Sequence, residues 1–176
     1  GREILERAAA AAGGAEAIDR IVSKRAIGRA VAATHGVDGP TEDHVVSGRR
    51  ALLVELGAFG KAVVRTRAIT TERGGYYATI EGARLEVTGK ALDLARSAAV
   101  PHTLYRWKQR FASVALVGET VINGENAFVV ELTPPGLAPT KLYVSAGSHL
   151  VLREEPPIYF GDTLAALVIG IDYSDY

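Results

Sequence analysis

The chain has 176 residues, 48% of them apolar, with 20 basic residues against 20 acidic ones, four histidines, no cysteine and no methionine. Zero net charge argues against a nucleic-acid binder, whose affinity rests on neutralising phosphates. The absence of cysteine removes disulfides, thiolate nucleophiles and Cys-ligated zinc. A chain of this length buries roughly 70% of the surface its unfolded form exposes, enough for one domain spanning residues 1–176. Without methionine, Gly1 is not a translation start, and any signal peptide is expected to have been removed upstream of it.

Ile4, Ala8, Ala11, Ala15 and Ile18 recur at helical spacing, which predicts a helix over 2–12, a stop at Gly13-Gly14 and a short second helix from Ala15 to about Val22. Strands follow. Ala26 to Thr34 is weakly apolar, Gly36 to Pro40 reads as a turn cluster, and Arg50, Leu52, Val54 and Leu56 alternate with Ala51, Leu53 and Glu55. Gly57 to Gly60 turns the chain into Ala62–Ile69, and Gly74-Gly75 leads into Tyr76–Ile80, with a short strand over Arg84–Val87.

A helical insertion comes next, with Thr88 as N-cap and Leu92, Ala95 and Ala99 on one face, broken by Pro101. Its second helix places Leu104, Trp107 and Phe111 together, flanked by Arg106, Lys108 and Arg110. These three cations suit either an anionic headgroup or plain snorkelling from an amphipathic core helix. Asn123-Gly124 between apolar runs is a type I′ hairpin signal. The expected register puts Ala115, Val117, Phe128, Val130 and Leu132 on one face. A second hairpin runs from Leu142–Val144 to Leu150–Leu152. The run Leu164 to Ile171 is far short of the ~20 residues of a membrane-spanning helix and reads as part of a buried last strand, Ala165–Tyr173. The total is eight to ten antiparallel strands.

In this order, Ala12-Gly13-Gly14-Ala15, Val117-Gly118-Glu119 with Asn123-Gly124, Lys141-Leu142-Tyr143-Val144, Leu150-Val151-Leu152-Arg153-Glu154 and Asp172-Tyr173-Ser174-Asp175-Tyr176 resemble the lipoprotein-carrier superfold typified by the outer-membrane lipoprotein-sorting proteins. The resemblance implies an α+β fold: a curved antiparallel sheet forming an incomplete β-barrel, with an N-terminal helix pair and a mid-chain helical lid from Lys90 to Phe111. It also implies periplasmic or otherwise extracytoplasmic binding of a lipid or acyl chain without catalysis. Such proteins continue into an Asp-Gly turn and another strand, so the last strand is expected to be missing here.

Strands apolar on both sides give such a sheet an apolar inner face, for which Leu52, Val54, Leu56, Val64 and Tyr77 are candidates in the first half. Val117, Phe128, Val130, Leu142 and Val144 are candidates in the second half, with Leu104 and Trp107 from the lid. The same alternation also serves a core filled by its own side chains. An arginine near an early strand handles ligand in the lipoprotein carriers, and Arg50 or its neighbour Arg49 stands at a loosely comparable place.

The catalytic inventory is thin. His35, His44, His102 and His149 are scattered, and the group His35, Asp38, Asp43 and His44 lies in a Gly/Pro-containing connection that reads as a solvated loop, not a metal site. Glu154-Glu155 before Pro156-Pro157 reads as an exposed edge. No cofactor is implied. Two readings stand: an envelope binder of a hydrophobic ligand, and a structural or interaction module docking on a membrane-associated assembly, with Tyr159-Phe160 as contact candidates.

Overall fold

The computed structural model describes residues 1–32, 37–46, 48–58, 61–78, 83–165 and 170–173; the side chains of 30–32, 37, 56–58, 61–66 and 160 lie outside that description. In chain order the elements are α1 (Arg2–Ala11), α2 (Ala15–Asp19), β1 (Ser23–Ala32), β2 (Val37–Val46), β3 (Arg49–Ala58), β4 (Lys61–Thr71), β5 (Gly74–Ala78) and β6 (Arg84–Val87). After them come α3 (Gly89–Ser97), α4 (Trp107–Arg110), β7 (Ser113–Ile122), β8 (Glu125–Thr133), β9 (Thr140–Ser145), β10 (Val151–Glu155), β11 (Tyr159–Phe160), β12 (Thr163–Leu164) and β13 (Gly170–Asp172). The fold is α+β with open antiparallel sheets, and the chain divides into two compact units.

The first unit takes Gly1–Ile21, His102–Pro157 and Ile171–Tyr176. Its five strands lie in the order β13-β10-β9-β8-β7. The two helices predicted before the first strand are both present, and Gly13 and Gly14 take the positive φ values of 96° and 87° that separate them. The buried stripe is Leu5, Ala8 and Ala9, with Ile4 and Ala12 partly buried beside it. It packs into one cluster with Leu104, Trp107 and Phe111 and with Val130, Leu132, Leu142 and Val144, whose exposure is 0%.

The Asn123-Gly124 hairpin forms as predicted, with φ of 51° and 86° at its two central residues. The expected face assignment for β7 needs one correction. Gly118 pairs with Val129 but Leu116 pairs with Val130, so a bulge takes up one residue between them. Beyond it Val114, opposite Leu132, packs against the core in place of Ala115. The acidic pair also departs from its expected exposed edge. Glu154 and Glu155 are half-buried strand residues of β10: Glu154 Oε2 accepts hydrogen bonds from Thr103 Oγ1 at 2.9 Å and Tyr173 OH at 3.0 Å, and Glu155 accepts from Tyr143 OH at 2.7 Å.

The second unit takes Val22–Pro101 and Ile158–Gly170. Its sheet is a six-stranded meander, β1 to β6, each strand antiparallel to the next. The predicted turn at Gly36–Pro40 is corrected in part, because Gly39 and Pro40 belong to β2 and pair with Ala30 and Arg29. Of the predicted last strand, Gly170–Asp172 is strand; 166–169 lie outside the described residues.

Candidate functional site

Strand register in the second unit fixes which residues share a face. Across the six strands Lys24, Val45, Arg50, Thr70, Gly75 and Val87 form one row, and Ala26, Asp43, Leu52, Ala68, Tyr77 and Leu85 form the next. Gly28, Thr41, Val54 and Thr66 make a third. Because side chains alternate along a strand, the described side chains of the three rows point to the same side, that of Thr66 lying outside the description. Leu56 and Val64 are register partners on the same alternation, and their side chains lie outside the described residues.

α3 packs on the β3–β5 part of the first row. A Cβ at Gly75 would touch the Leu92 side chain at 3.4 Å, and Val45, Thr70 and Val87 are buried. Both ends of the helix are tied down. Asp162 Oδ1 accepts the Lys90 N–H at 2.9 Å and the Gly161 carbonyl accepts that of Ala91 at 2.9 Å, while Arg96 donates to the Glu72 carbonyl at 2.9 Å. Thr88, the predicted N-cap, precedes the helix but makes no side-chain capping bond; Asp162, brought over by the β11–β12 hairpin, does that work. Yet α3 itself contributes no buried residue. On the second and third rows Leu52, Val54, Ala68 and Tyr77 are only half-buried, and Leu85 is 46% exposed.

A charged group closes the β1–β3 end of this face. Asp43 receives Arg50 Nε at 2.8 Å on Oδ1, Arg50 Nη2 at 3.3 Å on Oδ2, and Lys24 Nζ at 2.9 Å on Oδ2. Burial pushes the Asp43 carboxyl pKa upward, but the Arg50 and Lys24 charges and their hydrogen bonds outweigh it and hold it below the ordinary 3.8. The β1–β2 part of the opposite face is solvated: Arg25 bonds Glu42, His44 bonds the same carboxylate, Arg29 pairs with Asp38, and Ile27 and Val46 are exposed, while Leu53, Ile69 and Tyr76 farther along it are half-buried. Asp43 and His44 thus point to opposite sides, and Asp38 is engaged by Arg29. Among the described residues no three metal-ligating side chains converge; His35 lies outside them.

The structure therefore brings Arg50, Leu52, Val54 and Tyr77 onto one face of the second unit. Val130, Leu142, Val144, Leu104 and Trp107 lie instead in the closed core of the first, with Phe128 packed against it, and Val117 is 50% exposed beside the β7 bulge. The predicted lid falls across two units, α3 in one and α4 in the other. Lys24 was not singled out in the sequence and Asp43 only within the loop group; the period-2 series Thr41, Asp43, Val45 was the available signal for their shared face.

No family model matches the chain, and no curated protein matches it. It aligns along nearly its whole length with several solved structures at low identity. LprF from Mycobacterium bovis aligns over 99% of this chain and 91% of its own, at TM-score 0.42 and 13% identity. A LolA superfamily protein from Nitrosomonas europaea aligns over 99% and 91% at TM-score 0.39 and 14% identity, and lipoprotein LppX from Mycobacterium tuberculosis over 98% and 94% at 0.40 and 13%. No described helix is long and apolar enough to cross a membrane.

Proposed function

We propose that the chain is a non-catalytic binder of a hydrophobic ligand, a lipid or acyl chain, acting outside the cytoplasm in the cell envelope, and that the ligand lies on the second unit's sheet face along Leu52, Val54 and Tyr77. The observation that carries this is the contrast in coverage. In the first unit a helix seals the sheet and the facing residues have 0% exposure; in the second, α3 buries none of its own residues and leaves half-buried apolar side chains beyond the first row. Apolar surface left half-covered across several strands is what an acyl chain would complete. The envelope location rests on the sequence resemblance to the lipoprotein carriers.

Native mass spectrometry of the purified chain, followed by organic extraction, tests the reading. An acyl-containing species near one per chain is the expected result. A bare protein mass together with no uptake of a hydrophobic fluorescent probe would overturn it. The interaction-module reading has its own support in β7, the end strand of the five-stranded sheet, which exposes Leu116, Val117 and Val121 with a single charged residue, Glu119. Cross-linking at those positions in lysate is its test.

A further inference from the structure

Among the described side chains, the second and third rows of the six-stranded sheet hold one polar group without a hydrogen bond. Asp43 accepts Arg50 and Lys24, and Thr41 donates to the Leu53 carbonyl at 3.0 Å. The half-buried Tyr77 differs, because its hydroxyl makes no hydrogen bond to any described residue. Other half-buried tyrosines are partnered. Tyr143 OH donates to Glu155 at 2.7 Å and Tyr173 OH to Glu154 at 3.0 Å, while Tyr76, on the opposite face, carries the Arg84 guanidinium 3.7 Å over its ring. A tyrosine hydroxyl taken from water ordinarily finds a partner.

Tyr77 lies between Ala68 and Leu85 in its row, with Thr70, Gly75 and Val87 in the row beside it. None of these carries a charge, and Arg67 and Arg84 lie in a register row of the opposite face. A pure hydrocarbon laid along Leu52, Val54 and Tyr77 would cover the phenol and leave its O–H with neither water nor partner. A carboxylate or phosphate at that point would leave water with no cation among these neighbours to receive it. An uncharged carbonyl oxygen fits both conditions: it accepts the phenolic O–H and needs no counter-charge.

We propose that Tyr77 is a specificity-determining residue, whose hydroxyl donates to an uncharged carbonyl oxygen, ester or amide, of the bound acyl lipid. This rests on the reading of the same face as a hydrophobic site, and the test separates the two. The uncharged probe N-phenyl-1-naphthylamine is bound to the purified full chain, wild type or Tyr77→Phe, then displaced with methyl oleate or with octadecene, a hydrocarbon of similar length without the ester. Infrared spectra of the wild-type complex record the ester carbonyl stretch of bound methyl oleate.

Tyr77→Phe keeps the ring and removes only the hydroxyl. It should raise the displacing concentration of methyl oleate about fivefold more than that of octadecene, the scale of one neutral hydrogen bond. The bound ester carbonyl should absorb at lower frequency than in hexane, and this wild-type reading stands even where the variant does not fold. An equal effect of the substitution on both ligands, or a carbonyl stretch at its hexane position, overturns the Tyr77 assignment while leaving the apolar site intact. Failure of the chain to take up the probe overturns the hydrophobic-site reading and this inference with it.

Discussion

Asp43 is the residue on which the charged end of the face depends. Its carboxyl is lowered below 3.8, so the sign of its linkage is that of an acid stabilised in its ionised form: the contribution is complete above that value and is lost as pH falls further, toward the folded-state pKa. Asp43→Asn removes the carboxylate that Lys24 and Arg50 share, at a cost of about 2 kcal/mol at pH 7. Urea midpoints of wild type and variant should differ by that amount at pH 7 and converge below pH 4; a gap that is constant with pH would sink the account. Tyr143 gives an opposite case. Burial and its hydrogen bond to Glu155 push the phenol up to about 12, so its stabilisation is complete below pH 10 and lost as pH rises toward 12. Ultraviolet titration should show a phenol that ionises near pH 12 and is absent in Tyr143→Phe.

Among the elements, α3 is the piece whose position depends on something distant in sequence. Gly89 has φ of 57°, and a Cβ there would overlap the Asp162 carboxylate that accepts the Lys90 N–H. Gly89→Ala therefore both strains the backbone and displaces the clamp. Amide hydrogen exchange in α3 should speed up in this variant and in Asp162→Ala, with exchange in β8 and β9 unchanged; uniform acceleration across both units would mean α3 is not an independent local unit. The same element shows where sequence reading stops. Its helical period and Thr88 were visible, but the group that caps it sits 72 residues downstream of Lys90. β2 was hidden for another reason: Thr41 and Asp43 occupy inward positions that would ordinarily be apolar, so the alternation looked like a polar connection. Only the cross-strand partners Lys24 and Arg50 make an inward aspartate tolerable, and pairing across strands is not written in local pattern. The hairpin at Asn123-Gly124 was legible because its turn chemistry is local; the bulge at Leu116–Gly118 was passed over, although Gly118 inside a strand pattern is a local signal for one.

At the scale of the molecule, both sheets carry strands with apolar alternation, and what distinguishes core from candidate site is how well a helix covers each. α1 places Leu5, Ala8 and Ala9 against its sheet with little residual exposure, so truncation there opens a cavity: Leu5→Ala should cost about 3 kcal/mol, read from the urea midpoint. Val54, half-buried on the second unit's face, loses less on truncation because part of its surface already meets solvent. The pair Val54→Asn and Val130→Asn then separates the two roles. Asparagine at Val130, with 0% exposure, strands an amide in a closed apolar cluster and should unfold the chain or lower its stability by roughly 3 kcal/mol. Asparagine at Val54 keeps a route to water, so the fold should survive within ~1 kcal/mol while uptake of the hydrophobic probe falls several-fold through lost apolar area. Were Val54→Asn to bind the probe as well as wild type, Val54 would be ordinary half-exposed sheet surface, and the site would have to lie elsewhere on the chain.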